Sequence, residues 1–517
     1  MAARGYRSMD RCAEEHGGWV TRSRWGVQMR ASHPTAAIGT RSTIRAESRV
    51  TSAKKSLFRG PVPASTWQPP RIIPQLVLDR ALNPLVYGYR YDPQFQQWRR
   101  LAALRRKELI EAIRLKSLRL VTERPGRTLK DAVKSFFRSR LVHFDELHRT
   151  WVDGNGPFGH QTLPERQAAL YARWRAWQQG GELLQWSLDP SIACAEPFYR
   201  RGKPKRDGGW RTFYSFGIAR TTRQRLVHVA LTAASCDQYR AQAMYDGGMS
   251  AVVDEVRRML IDNPLLTHCA KIDIRNCFDN IQLGSAHGVL PLAPKVIQQT
   301  VAINAKEAVD QRERDHRRHD RYLRRREELF ASGPSLALPQ GAASSPFVAY
   351  SLIEAGLPPL SPDREFLYGD DLLVLGESQD DVSAQVCRFR RLFERHPAGP
   401  LQIHSDWEEE PRDVRDGFEF LGIQFRRVVK MADGVGSFFV SARLPLDARA
   451  QFLDNVRARV DHAREYGDKA LSDASRYVRG FLGSRPTDDR VELLIAACLV
   501  IEERGIDAAP IWELGAS

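Results

Sequence analysis

Apolar residues recur at intervals of three and four over residues 93–120, 129–151 and 163–177, on a basic background. That period predicts helices with one buried stripe. Tryptophans fall in the same stretch: Trp98, Trp151, Trp174, Trp177 and Trp186 are interspersed with arginines. Two outcomes fit the mixture. The rings can form a helical core with arginine stems lying along it, or the surface can hold RNA by phosphate contact and base stacking. From about residue 196 the period changes, and short apolar runs bounded by turn residues replace the long stripes. Residues 270–274 read as a strand running into a turn and a helix start. The runs Glu365-Phe366-Leu367 and Leu372-Leu373-Val374-Leu375 flank Tyr368-Gly369-Asp370-Asp371, which predicts a hairpin with the tetrapeptide at its tip. Residues 347–355 predict an apolar helix. Residues 295–330 alternate in charge sign and predict a long solvated helix with an excess of arginine. The helical period returns over 446–465, 470–482 and 491–503.

The expected organisation is therefore α+β, in four parts. Residues 1–70 are rich in Arg, Ser and Thr, poor in acids and without period, which reads as a basic, disordered arm. The same composition suits a mitochondrial transit peptide, and Met29 offers a second start. A helical region spans 71–195, a mixed strand and helix region 196–430, and a helical region 431–517.

Charge narrows the partners. The 517 residues carry a formal charge of +16, which favours a polyanion. Seven cysteines show no Cys-x-x-Cys spacing, so neither a zinc site nor a disulfide framework is indicated and a reducing cytoplasm fits. No apolar stretch approaches the length of a membrane span. Nothing in the pattern sets an oligomeric state.

The tip of the predicted hairpin carries candidate chemistry. Adjacent carboxylates at Asp370 and Asp371 raise each other's pKa unless a cation neutralises them. Their hard oxygens suit Mg²⁺, with Mn²⁺ as the alternative ion. Asp273, at the end of the upstream strand, is placed to join them. Three carboxylates from two segments can hold two divalent ions about 3.5–4 Å apart for in-line displacement at phosphorus. Between these segments, Leu338-Pro339-Gln340-Gly341-Ala342-Ala343-Ser344-Ser345-Pro346 offers small residues that let backbone or base approach closely, and Gln340 offers an amide.

In order along the chain, these segments resemble the palm of a reverse transcriptase. Residues 273–279 resemble motif A, 338–346 motif B, and 368–371 motif C with its Tyr-x-Asp-Asp signature. Phe418-Glu419-Phe420-Leu421-Gly422-Ile423-Gln424-Phe425 resembles the primer grip. Arg201-Gly202-Lys203-Pro204-Lys205-Arg206-Asp207-Gly208-Gly209-Trp210-Arg211 resembles the fingers hairpin, with Asp207-Gly208-Gly209 as its turn. Tyr477-Val478-Arg479-Gly480-Phe481-Leu482 resembles a thumb segment of the group II intron and retron enzymes. The likeness covers about residues 195–485.

The resemblance implies a right-hand polymerase with fingers, palm and helical thumb, preceded by the helical region. It implies that Asp273, Asp370 and Asp371 bind two Mg²⁺ ions. It implies that Lys205 and Arg211 clamp the incoming triphosphate, with Lys203 or Arg206 as substitutes for Lys205. Arginine suits that task through its planar fork of donors. Phe278 matches the steric gate against a 2′-hydroxyl, Gln340 a contact to the incoming nucleotide, and Phe420, Leu421 and Gly422 the primer grip. The implied reaction is RNA-directed DNA synthesis from dNTPs, with an RNA template and a DNA product. The template implied is a dedicated noncoding RNA, in a setting such as anti-phage defence. The sequence departs from many relatives after motif C: residues 401–410 contain no lysine, and His404 is the candidate acid there. No nuclease, zinc, RNase H or integrase signature follows, the retron Val-Thr-Gly triplet is missing, and motif B ends in Ser345-Pro346 rather than Ser-Gln. The stand-alone bacterial enzymes and divergent retron relatives are the nearest in kind. Two alternatives remain open: untemplated or protein-primed DNA synthesis by the same palm, and a non-catalytic RNA-binding splicing factor of maturase type.

Overall fold

A computed structural model of the chain describes residues 84–119, 127–153, 162–180, 188–204, 210–235, 248–310, 338–403, 411–432, 435–466, 468–483, 485 and 487–505. The expected arm at 1–70, Trp186, Lys205, the turn Asp207-Gly208-Gly209 and His404 lie outside these residues.

The helical stripes become α1 (Pro84–Tyr91), α2 (Pro93–Arg119), α3 (Arg127–Phe137), α4 (Arg140–His148) and α5 (Leu163–Gln178). The single helix expected over 129–151 is broken in two. Ser139 takes extended backbone angles and its hydroxyl accepts from the Val142 amide, which starts α4 afresh. α5 begins in a capping box, with Thr162 and Glu165 each satisfying the other's backbone amide. The described tryptophans of this stretch belong to the core. Trp151 and Trp174 are buried with Phe95, Phe144 and Leu170, and Trp98 and Trp177 pack against the same cluster. Arg173 lies over the Trp151 ring at 4.5 Å, so arginine does cover the aromatic core here.

Glu146 on α4 is fully buried and is held by Arg106 of α2 at 3.2 Å and Arg225 of α6 (Ile218–Ala234) at 2.6 Å. That network ties the N-terminal helices to the mixed region. Beside it, His148 is stacked on Tyr89 and shares a 2.6 Å hydrogen bond with its hydroxyl. Burial, helped by Arg99 and Arg149, pushes the imidazole from 6.5 down to about 3. The unfolded chain therefore takes up a proton at this residue between about pH 6.5 and 3 while the folded chain does not. Stability is complete above pH 6.5 and is lost as pH falls, by up to about 1.4 kcal/mol per pH unit. Melting temperature followed from pH 7.5 to 4.5 is expected to fall less steeply in His148→Phe than in wild type. Equal slopes would remove His148 as a source of acid lability.

The remaining elements are β1 (Phe198–Pro204), β2 (Trp210–Phe216), α7 (Gly248–Asp262), β3 (His268–Asp273), β4 (Val309–Asp310), α8 (Ser345–Ala355), β5 (Glu365–Tyr368), β6 (Asp371–Gly376), α9 (Gln379–Glu394), β7 (Arg412–Asp413), β8 (Phe418–Phe420), β9 (Ile423–Ala432), β10 (Val435–Arg443), α10 (Leu446–Tyr466), α11 (Asp468–Gly483) and α12 (Arg490–Glu502). The fold is mixed α+β with three small sheets, ordered β2-β1-β4, β5-β6-β3-β7 and β10-β9-β8.

The four-stranded sheet is antiparallel throughout and covered on both faces. Ile272, Leu372 and Val374 pack with Tyr350 of α8 and Phe389 and Phe393 of α9. Cys269, Leu373 and Leu375 alternate onto the other face, against Val253 and Val256 of α7 and Phe418, Phe420 and Phe425. Burial on both sides explains why residues 372–375 are continuously apolar rather than alternating.

Two expectations are corrected. Residues 295–310 are not part of a long helix. They form short helical turns, a buried stretch and β4, because Val296, Ile297, Val301, Ala302 and Ile303 are core residues and the charged run begins only after them. The rest of that expected helix, 311–330, lies outside the described residues. The helical region expected from residue 431 begins at Leu446, since residues 431–432 end β9 and residues 435–443 form β10. Its three helices otherwise match the sequence reading. Among the described residues no helix is long and apolar enough to cross a membrane.

Candidate active site

Asp273 ends β3 and Asp371 begins β6, and the two are direct cross-strand partners. Side chains alternate along strands, so Lys271, Asp273 and Asp371 share one face of the sheet. Asp370 stands in the turn just before. Its carbonyl accepts from the Ile274 amide at 3.2 Å, which pins the hairpin tip to the end of β3. Tyr368 pairs with Asp371, leaving Gly369 and Asp370 as a two-residue turn. Gly369 has φ of 66° and Asp370 does not take a positive φ, the pattern of a type II′ turn with glycine first. The motif C spacing is thus the spacing of a tight hairpin.

Opposed carboxylates repel. Lys271 meets that repulsion, its Nζ lying 2.8 Å from Asp371 Oδ1, with the two side chains 18% and 25% exposed. Beyond β3, the Arg275 amide donates to the Gln402 carbonyl at 2.8 Å and Ile274 bridges Ile403. Asn276 takes a left-handed conformation, φ 48°, which asparagine tolerates, and turns the chain into one helical turn at Cys277–Asn280. That turn carries Phe278, half-buried against the core beneath the sheet. It also buries Cys277, whose thiol is raised well above its ordinary value by burial first and then by the charges of Asp370, Asp273 and Asp279. Asp279 thereby brings a fourth carboxylate into the neighbourhood.

Among the described residues no group of three or more His, Cys, Asp or Glu is placed to hold a metal ion ready-made. The donors that the register brings to this strand end are hard carboxylate oxygens, and their side chains are only half-buried. That donor set fits a hard divalent cation such as Mg²⁺ or Mn²⁺ in its chemistry, with the ligand shell completed on binding.

The turn that resembles motif B is built against the first sheet. The Tyr214 amide of β2 donates to the Gln340 carbonyl at 2.8 Å. Gly341 has φ of 101°, and a Cβ there would stand 2.6 Å from the Tyr214 carbonyl oxygen. The close approach expected at this glycine is made by the β2 backbone. Gly341→Ala is expected to cost about 2–4 kcal/mol, from a strained backbone and a clash with main chain that has little room to move. A melting temperature within about 2 °C of wild type would show that the turn adapts. The Gln340 Oε1 is buried without a hydrogen-bond partner among the described residues. Of the expected triphosphate clamp, Arg211 lies on β2 opposite Lys203 of β1, and Lys205 is outside the described residues.

The expected primer grip is the β8–β9 turn. Phe420 is buried and pairs with Ile423, leaving Leu421 and Gly422 as the turn, both at positive φ, 54° and 70°. A bulky residue at positive φ is strained, and such strain collects at functional turns. Leu421 and Tyr368 pack on the same core as Leu373, so this turn and the Asp-Asp hairpin share one support. A cavity of about 150 Å³ opens beside the turn, lined by Glu419, Gly422, Phe452, Tyr477, Phe481 and Arg485. Phe452 and Phe481 stack at 4.4 Å, and the Arg485 guanidinium lies 4.1 Å from the Phe481 ring.

No protein-family model matches the chain, and no curated protein matches it. Among solved structures, it is similar to the crystal structure of the RNA-dependent RNA polymerase of a human picorbirnavirus, with a TM-score of 0.32 and 14% identity. The match covers 60% of this chain and 56% of that one, so the chain spans little more than half the length of that polymerase. At that level of likeness the residues themselves carry the functional reading.

Sequence reasoning passed over Lys271, Asp279 and Cys277 and the strain at Leu421. A signal existed for Lys271: it stands two residues before Asp273, so any strand places both on one face. Nothing local marked Leu421, because its φ is imposed by the tight hairpin.

Proposed function

We propose that the protein is a nucleic-acid polymerase of the reverse transcriptase type, an RNA-directed DNA polymerase that joins deoxynucleotides to a 3′-hydroxyl. The observation that carries this is the register of β3 against β6, which sets Asp273 opposite Asp371 with Asp370 bonded to the end of β3. The right-hand layout follows from the same reading: β1–β2 as fingers, the four-stranded sheet as palm, and α10–α12 as thumb. Asp273, Asp370 and Asp371 would hold two Mg²⁺ ions, which when bound activate the attacking hydroxyl and stabilise the leaving pyrophosphate. The protein's own part is positional. The Gly369–Asp370 turn and the Ile274 amide fix the height of the carboxylates at the sheet end. The buried faces of the sheet hold that end rigid. Phe278, on the helical turn that follows Asp273, would limit the space for the incoming sugar and so select one without a 2′-hydroxyl. Lys205 and Arg211 would clamp the triphosphate, and the template is a noncoding RNA held in part by the basic helical region.

Phe278→Ala is expected to narrow the preference for dNTPs over NTPs by about 10- to 100-fold in primer extension. An unchanged preference would place the gate elsewhere. The reading as a whole is tested by sequencing nucleic acid that copurifies with the protein and with Asp370→Ala, each expressed from its native locus. A discrete RNA in both, with complementary DNA only in wild type, is expected. Homopolymeric or protein-linked DNA would favour untemplated or protein-primed synthesis. RNA without DNA in either would favour a splicing factor.

A further inference from the structure

We propose that Lys271 is a built-in counter-ion of the carboxylate site, a tethered cation that holds Asp371 until a divalent ion takes its place. The inference rests on the reading of Asp273, Asp370 and Asp371 as metal ligands. Lys271 lies on β3 one pleat from Asp273, opposite Leu373, and its ammonium is 2.8 Å from Asp371 Oδ1. The pair is neither sealed nor freely solvated, at 18% and 25% exposure. Attraction there is stronger than at a wet surface, yet the ammonium keeps a route to water.

The arrangement answers a physical problem. Asp273 and Asp371 are direct cross-strand partners, Asp370 precedes Asp371, and Asp279 adds charge nearby. Without any cation this end of the sheet gathers negative charge where β3 and β6 must pair. Lys271 supplies a positive charge from within the sheet, so the strands pair before metal arrives. The same contact makes Lys271 a competitor. A divalent ion that uses Asp371 must displace the ammonium, and the energy of that ion pair is subtracted from its affinity. Lys271 is thus a positioning residue whose removal tightens metal binding and loosens the metal-free protein.

The test is a Mn²⁺ titration of the full chain without nucleic acid, with free Mn²⁺ read by electron paramagnetic resonance at constant pH and salt. The variants are Lys271→Met, Lys271→Arg and Asp273→Asn. Lys271→Met is expected to bind Mn²⁺ about three- to tenfold more tightly than wild type. Its metal-free melting temperature is expected to fall and to recover more on adding Mn²⁺. Lys271→Arg, which keeps the charge, is expected to stay within about twofold of wild type. Equal or weaker Mn²⁺ binding in Lys271→Met, with wild-type binding lost in Asp273→Asn, overturns this inference and leaves the metal site standing. Wild-type Mn²⁺ binding that Asp273→Asn does not reduce overturns both. Should Lys271→Met fail to fold, Lys271→Gln provides the same comparison with a polar chain of similar reach.

Discussion

Asp370→Ala is expected to lower primer extension by about a thousandfold or more, with the fold intact. The two halves of that expectation come from different atoms of one residue. The carboxylate is the proposed metal ligand, and without it the charge on the attacking and leaving oxygens is uncompensated. The backbone of the same residue holds the hairpin: its carbonyl accepts from Ile274, and the pairing of Tyr368 with Asp371 closes the turn. Alanine keeps every one of these bonds. The melting temperature should therefore stay within about 2 °C of wild type, and RNA binding in a filter or anisotropy assay should be nearly unchanged. Extension above about a tenth of the wild-type rate would remove Asp370 from the catalytic set. A collapse in melting temperature would show that the carboxylate is structural.

Arg427→Met is expected to have the largest effect on stability, about 3–5 kcal/mol. Arg427 lies on β9 and is buried, and its guanidinium donates to the backbone carbonyls of Leu260, Asn263, Pro264 and Leu266. These carbonyls belong to the end of α7 and the loop that delivers the chain into β3. Methionine keeps most of the stem but takes the guanidinium donor from the buried carbonyls of Leu260 and Leu266 and from the half-buried turn between them. The loss extends beyond stability, because β3 carries Lys271 and Asp273. Extension should fall together with melting temperature although Arg427 touches none of the carboxylates. Arg415 is the control. Its own side chain is exposed where it pairs with Asp413, so Arg415→Met should cost less than about 1 kcal/mol. Equal effects of the two substitutions on denaturant midpoint would contradict the role given to Arg427.

The likeness between what residues 270–274 and 365–376 predict and what they form has a local cause. A strand with a charged end, and a hairpin with glycine first in its turn, are specified by neighbours in sequence. The helices over 163–178 and 446–502 were legible for the same reason, since one turn of apolar spacing predicts the next. Reading failed where burial overrode local pattern. The segment 295–310 reads as the start of a charged helix, but its apolar residues are claimed by the core. Residues 435–443 were placed in the helical region, yet they form β10 and pair with β9. The tryptophans were ambiguous because a ring that stacks on a base and one that packs on Phe95 look alike in sequence.

Most of the elements and the inventory of chemistry were legible in the residues: the carboxylates, the tight turns that present them, the small residues at 341–345 and the basic charge of the whole. How these meet is a property of the fold. Register between β3 and β6, which no residue announces alone, sets Asp273 against Asp371 and brings Lys271 to the latter. The contact at Gly341 is likewise made by β2, more than a hundred residues away in sequence. The physical reason is common to both. Hydrophobic spacing is a local property of the chain, whereas which strand lies beside which is set by the burial of faces that distant segments must share.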